Sequence, residues 1–468
     1  MSGMRIEKDS MGEMQVPADA YWAASTQRAH LNFQGISGKR FPRSFIRALG
    51  LIKRSAAETN HGLGRLSAER LKLITAAAAD VEAGQLDAQF ILDVFQTGSG
   101  TSTNMNVNEV IATRANELAG LRTAPAKERP VHQNDHVNMG QSSNDVIPTA
   151  SHLAAAMRIA EALLPALERI QSSFEAKAAE FAEVMKIGRT HLQDATPVTV
   201  GQEFAGWAMQ IRRGRERINA AMPRLCELAL GGTAVGTGIN THKDFARLTI
   251  ARMAATTGLP LSEAANHFEA QGSRDAMVEM SGALRVVAVS LMKISNDIRW
   301  LSSGPRCGIG ELALPATQPG SSIMPGKVNP VIAEAMTMVA AQVMGNDVTI
   351  GIAGQSGVFE LNVMIPVMAL NLLESVELMS GAVTALDEKC VRGITVDRER
   401  CESLIEGSLA MCTSLAPLIG YENAADIAKE AFKTKRTVRE VALARGVLPA
   451  SQLAQVLDPR NMIHPDQA

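Results

Sequence analysis

The sequence predicts a mainly α protein built around long helices, and three observations predict it. Aromatic residues make up only 4% of 468 positions, too few for an ordinary β-sandwich core. Methionine is frequent, at 23, and Ala, Leu and Met dominate the apolar positions. Apolar residues also recur at helical spacing over stretches far longer than a strand. A chain of this length exceeds the usual size of one core, so two or three domains or one elongated body are expected. Soft boundaries near residues 141 and 367 give a mixed N-terminal domain (1–141), a central helical bundle (142–366) and a small C-terminal helical domain (367–468).

Taken in order, MRIEKDSMGEMQVP at the N-terminus carries turn and weak strand signals. The Ala-rich stretch from about Asp145 to Lys186 reads as a helix kinked at Pro165, where the missing N–H and the ring disturb the ladder. From Thr199 to Leu230, the residues Phe204, Trp207, Ile211, Ile218, Met222, Leu225 and Leu228 fall on one helical stripe. Thr199 and Gln202 form a capping box at its start, Pro223 bends it, and Gly231-Gly232 end it. A further helix runs from about Gly282 to Leu301, with Leu284, Val287, Leu291, Ile294 and Ile298 on one face. Each of these spans roughly 30 Å or more at about 1.5 Å per residue, and long helices with short connections read as a bundle. Shorter helices and loops fill the last hundred residues.

Composition excludes several classes of function. The net charge is -2 and no stretch concentrates Lys and Arg, so nucleic acid is disfavoured as a partner. The start, MSGMRIEKDSMGE, has no apolar leader region, and no later apolar run approaches the span of a bilayer. A soluble, unprocessed, cytoplasmic protein is expected. The five cysteines, Cys226, Cys307, Cys390, Cys401 and Cys412, are scattered and lack a C-x-x-C pair, which suits a reducing compartment and argues against structural zinc.

Four polar, loop-like insertions interrupt the helical background: QTGSGTSTNMNVNEV (96–110), VHQNDHVNMGQSSND (131–145), GRTHLQDATP (188–197) and PGSSIMPGKVNP (319–330). They are rich in Ser, Thr, Asn and Gly, which offer hydroxyls, amides and bare N–H groups to an anion. Each alone also suits a helix cap or turn. The Gly-Lys in the last invites a phosphate-loop reading, which fails because five residues separate Gly320 from Gly326 and Val328 stands where the hydroxyl belongs.

Together these stretches resemble the fumarase and aspartase superfamily, most closely its class II fumarate hydratase branch. GSSIMPGKVNP carries the resemblance most specifically; GRTHLQDATP, GGTAVGTG (231–238) and LSSGPRCGIGE (301–311) agree in order and spacing. The resemblance implies reversible addition of water to fumarate, giving L-malate. That chemistry removes a weakly acidic proton beside a carboxylate and passes through a doubly negative aci-carboxylate, so the site must hold an anion that becomes more anionic. It implies that Ser321 is the base taking the carbon-bound proton, that His191 handles the water on the opposite face, and that Glu334 orients His191. It implies that Lys327 and Asn329 bind a substrate carboxylate, and that Ser99, Thr101, Ser142, Ser143, Asn144 and Thr190 hydrogen-bond the substrate or its water. His132, Asn134 and Asp135 match a second, non-catalytic anion site. Neither metal nor cofactor is implied. The resemblance also implies a homotetramer whose bundles merge into a larger helical core, with the 142–144, 190–191 and 321–329 segments of one site coming from three subunits.

The sequence departs from the branch at Ala23, Ser25 and Arg274, and TSTNMN (101–106) is closer to the aspartase form. Aspartate ammonia-lyase, which uses the same carbanion logic, is therefore the alternative. Ser99, Gly326 and VMGNDVTI (343–350) favour the fumarase side. A helical structural protein without activity is opposed by the intact Ser321, His191, Lys327 and Asn329.

Overall fold

The computed structural model describes residues 3–465. It is mainly α. An antiparallel hairpin, β1 (Met4–Asp9) and β2 (Gly12–Pro17), opens the chain and pairs Met4 with Pro17 through Asp9 with Gly12. Helices α1 (Ala24–Phe33), α2 (Arg43–Gly62), α3 (Ala68–Glu82) and α4 (Thr101–Leu118) follow. Next come α5 (Ser143–Arg158), α6 (Leu164–Glu180), the hairpin β3 (Met185–Thr190) and β4 (Gln193–Thr199), and α7 (Val200–Leu225). The remaining long helices are α10 (Asp275–Leu301), α11 (Val331–Gly354) and α12 (Ile365–Lys389), with the shorter α8 (Phe245–Thr257) and α9 (His267–Gly272) before them. Five short helices, α13 (Arg398–Gly407), α14 (Ala416–Ile419), α15 (Tyr421–Thr434), α16 (Val438–Arg445) and α17 (Ala450–Val456), close the chain.

The chain forms two compact units, each assembled from three separate stretches. One comprises Met1–Pro165, Glu216–Ala288 and Ala341–Ser380; the other comprises Ala166–Arg215, Val289–Ala340 and Gly381–Ala468. In the second unit, Phe174, Phe181, Phe204 and Trp207 pack their rings edge to face or tilted, with centroids 4.6 to 6.1 Å apart. A satellite core joins Ile187 to Ile405, Met411, Leu415, Ile427, Val441 and Leu453, which fastens the C-terminal helices beneath β3.

The stripes read from sequence are buried: Phe204, Trp207, Ile211, Ile218 and Leu225 on α7, and Leu284, Val287, Leu291, Ile294 and Ile298 on α10. The capping box is present, with Gln202 N–H donating to Thr199 Oγ1 and Thr199 N–H to Gln202 Oε1, both at 3.0 Å. Helix α7 stops at Leu225 rather than Leu230, because Glu227–Leu228 pair as a short parallel strand with Ser262–Glu263. The expected kink falls just ahead of Pro165, as a π turn over Ile159–Leu163 between α5 and α6. That helix ends at Glu180, since Met185–Thr190 is a strand.

Two of the polar stretches are not loops. GRTHLQDATP is the tip and flank of the β3–β4 hairpin. TSTNMNVNEV opens helix α4, with Ser102, Thr103, Asn104, Asn106 and Asn108 buried and hydrogen-bonded alongside the buried apolar Val107, Val110, Ile111 and Ala115. The expectation that no apolar run approaches a bilayer span also needs amending. The Ile365–Gly393 segment has the length and, at a mean hydropathy of 1.2, the composition to cross one. Its Met368, Leu372, Leu373, Val376 and Met379 are instead packed in the protein interior.

Candidate active site

In the first unit the site is built from helix starts. Gly98 admits the backbone of the QTGSGT turn against Val363, whose carbonyl oxygen would lie 1.8 Å from any added Cβ. Ser99 Oγ meets Thr101 Oγ1 at 2.8 Å at the start of α4. Ser142 caps α5, its Oγ accepting from Asn144 N–H at 3.2 Å while Asp145 Oδ1 accepts from Ser142 N–H at 2.9 Å. Ser143 Oγ accepts from Asn104 Nδ2 at 3.1 Å. Asn144 Nδ2 donates to Ala234 O at 2.8 Å.

Fully buried Asp145 holds this together. Its Oδ2 accepts from Gly231 N–H at 2.9 Å and Thr233 N–H at 3.0 Å, which hangs the GGTAVGTG turn on the start of α5. Burial pushes its carboxyl above the usual range, against these three N–H donors and the Lys53 charge. Ser142, Ser143 and Asn144 thus share one cradle with the 231–234 turn, at a helix N-terminus that favours negative charge.

His132 caps a π turn over Gln133–Val137 that carries Asn134 and Asp135, and all three are exposed. His132 Nδ1 accepts from Asp135 N–H at 3.2 Å and lies 3.1 Å from Asp135 Oδ2, so its capping role is built in.

In the second unit, Thr190 and His191 occupy the tip of the β3–β4 hairpin. His191 and Leu192 have φ of 57° and 58°, a turn with both central residues left-handed. Such turns favour Asn-Gly; a non-glycine residue there costs of order 1 kcal/mol or more. The strained turn presents His191 outward, and among the described residues its ring meets no hydrogen-bond or ion-pair partner. Beneath it, fully buried Glu311 receives both arms of Arg189, at 2.8 and 2.9 Å, and Lys186 at 3.4 Å. Buried Lys186 also donates to Glu203 Oε1 at 2.9 Å and to Ile187 O at 2.8 Å. This network fastens the hairpin to the turn after α10 and to α7.

The PGSSIMPGKVNP loop closes on itself. Gly320 N–H donates to Lys327 O at 2.8 Å, and Asn329 Nδ2 to Gly320 O at 2.7 Å. A Cβ at Gly320 would lie 2.7 Å from Lys327 O, so the closure needs glycine there. Inside the loop, Ser321 Oγ accepts from the backbone N–H groups of Met324 at 2.9 Å and Ile323 at 3.2 Å. Lys327, Asn329 and Glu334, the last in the first turn of α11, line one cleft of about 790 Å³ together with Arg299 and Ser303. The cleft gathers two cations and several donors, which suits a carboxylate.

Sequence reasoning missed Asp145, Asn104, Arg189 and Glu311. The Ser142-x-x-Asp145 spacing is a capping-box signal that could have found the first. Nothing in the charge pattern marks Glu311 as buried. The departure Arg274 is also buried, its Nη1 without a hydrogen-bond partner, near the buried His152. Ala23 and Ser25 place their backbone N–H groups on the buried Glu109 carboxylate at 2.8 and 3.0 Å.

A helical fold that carries a self-closed serine and lysine loop, with amide-lined helix starts, suits an enzyme that binds an anion. The chain matches the Lyase family over residues 12–345 and the Fumarase C C-terminus over residues 411–464. It is 53% identical to fumarate hydratase class II of Neisseria meningitidis over 98% of this chain and 99% of that one. It is 52% identical to the mitochondrial fumarate hydratase of Rattus norvegicus, over 99% and 91%. The crystal structure of class II fumarase from Schistosoma mansoni superposes with a TM-score of 0.96 at 40% identity, covering 99% of this chain and all of that one. The chain belongs to the class II fumarate hydratase family.

Proposed function

We infer that this chain catalyses the reversible hydration of fumarate to L-malate, as the family it belongs to does, with Ser321 as the base. The observation that carries the mechanism is the pair of N–H donors on Ser321 Oγ. A serine hydroxyl is a poor base unless its alkoxide is stabilised, and two fixed backbone dipoles supply that stabilisation before substrate arrives. Ser321 takes the proton beside the carboxylate, and Lys327 and Asn329 hold the charge that develops there. His191 manages the water on the other face, with Glu334 as its carboxylate partner. Ser99, Thr101, Thr190 and Ser142, Ser143 and Asn144 hydrogen-bond the substrate or its water. His132, Asn134 and Asp135 form a separate anion site. No metal or cofactor is required by this scheme.

We propose further that the working protein is a homotetramer, with sites assembled from the 142–144, 190–191 and 321–329 segments of three subunits. Support comes from apolar side chains left exposed on the long helices, including Trp300 at 54%, Met338 at 67% and Val348 at 61%. Functionally the chain divides at about 141 and 367, the middle part supplying the helices that pack between copies. Five cysteines without disulfides support a cytoplasmic setting. The deciding assay offers purified protein fumarate, malate and aspartate side by side. Fumarate and malate should interconvert without added metal or nucleotide, and aspartate should release no ammonia. Faster turnover of aspartate than of malate would overturn the reading.

A further inference from the structure

Lys53, on α2, is completely buried. Its ammonium donates to Asn138 Oδ1 at 3.0 Å and to Gln141 Oε1 at 2.9 Å, two neutral amides. No carboxylate among the described residues lies within ion-pair distance. Burying a charge this way is costly, and burial pulls the ammonium down to about 7 even with Asp145 opposing it. A cost of this kind calls for a return elsewhere.

The return lies along the hydrogen bonds. Asn138 Oδ1 also accepts from Asn104 Nδ2 and Asn108 Nδ2, both at 3.2 Å, so one carbonyl oxygen collects three donors. Asn138 Nδ2 donates to Gln141 O at 3.1 Å, closing the 138–141 turn that leads into Ser142. The second hydrogen of Asn104 Nδ2 goes to Ser143 Oγ at 3.1 Å. Ser143 Oγ is therefore an acceptor toward the interior, which leaves its own proton to be donated outward.

We propose that Lys53 is a positioning residue for substrate binding: by fixing Asn138 and Gln141 it sets Asn104, and so directs the Ser143 hydroxyl proton toward the substrate carboxylate. The inference rests on the fumarate reading and on Ser142, Ser143 and Asn144 binding substrate. Lys53 touches neither substrate nor reacting atoms, and its effect falls on affinity.

Lys53→Met keeps the stem and removes the ammonium. The expected result is a KM for fumarate at least tenfold higher, with kcat within threefold of wild type and a thermal midpoint within a few degrees. A merely structural role would lower the midpoint and the active fraction while leaving KM alone. In a Ser143→Ala background the KM effect of Lys53→Met should largely vanish, because the route runs through that hydroxyl. A wild-type KM in folded Lys53→Met protein overturns the proposal, as do independent effects in the double variant. If Lys53→Met does not fold, Gln141→Met removes one ammonium partner and should raise KM in the same direction; an unchanged KM there overturns it equally. Wild-type protein that fails to hydrate fumarate would instead sink the underlying reading.

Discussion

A serine becomes a useful base only if its alkoxide is welcomed, and at Ser321 two backbone N–H groups already point at the oxygen. Ser321→Ala should abolish exchange of the carbon-bound proton of malate with solvent, whereas His191→Asn should slow net hydration strongly yet leave exchange measurable by isotope incorporation. Exchange lost only in the His191 variant would mean that the two roles are reversed. Lys327→Met should lose on the order of a hundredfold in turnover, typical of removing one preorganised charge-stabilising donor, with little change in thermal stability. Unchanged kinetics would remove Lys327 from carboxylate binding. A different residue contributes to the loss of stability in acid. Burial holds the His152 imidazole neutral, pulling it down to about 3 from its ordinary 6.5. Below about pH 6.5 the unfolded chain binds a proton that the folded chain refuses, so stability present above that value is lost as pH falls toward 3. At pH 5 the loss is about 2 kcal/mol, at about 1.4 kcal/mol for each pH unit. Measured by denaturant unfolding, the change in stability from pH 7 to pH 5 should be less unfavourable in His152→Leu than in wild type by about that amount.

The β3–β4 hairpin shows how an element carries a site and why only part of it is legible in sequence. Its strand character hides in GRTHLQDATP because Arg189, Asp194 and the flanking Lys186 are charged, and it is held both by Ile187 in the apolar core under β3 and by the buried network of Lys186, Arg189 and Glu311. The long helices, by contrast, announce themselves: Phe204 through Leu225 and Leu284 through Ile298 bury the faces that their spacing marks. Helix α4 lies between these cases: Val107, Val110, Ile111 and Ala115 are buried at helical spacing, but Thr103, Asn104, Asn106 and Asn108 are buried on it as well and held by hydrogen bonds, so the apolar stripe is masked by polar neighbours. The site motifs were readable as a resemblance, but their supports were not, because Asp145, Glu311 and Lys53 act through contacts made only after folding. Removing one partner of a buried ionic network leaves its charge stranded, so Glu311→Gln should destabilise by about 3 to 5 kcal/mol. It should also reduce turnover, by loosening the turn that presents His191. A change under 1 kcal/mol in denaturant unfolding would show that the network contributes little. Thr199→Ala, which removes only the cap of α7, should cost about 1 kcal/mol and leave turnover intact.

At the scale of the whole molecule, the long helices carry more apolar surface than one chain covers. Helix α11 buries Met336, Ala340, Val343 and Ile350, yet Met338, Val348 and Ile352 on the same helix are exposed. A helix apolar on nearly every side is stable in water only when further partners cover it, and identical copies related by symmetry are the economical source. If sites are shared between copies, as proposed, they have a consequence that no monomeric enzyme can imitate. Inactive Ser321→Ala and inactive His191→Asn proteins are mixed in equal amounts, dissociated and allowed to reassemble. If Ser321 and His191 at one site come from different chains, each contributing chain is intact at its own position with even odds, so about a quarter of the sites regain both residues. If both residues come from one chain, every site keeps a defect and the mixture stays inactive. Separately tagged variants and a two-step capture establish that mixed assemblies have formed. Mixed assemblies without returning activity would rule out the shared site, whereas recovery near a quarter of wild-type turnover, absent when either variant is reassembled alone, requires two chains to build one centre.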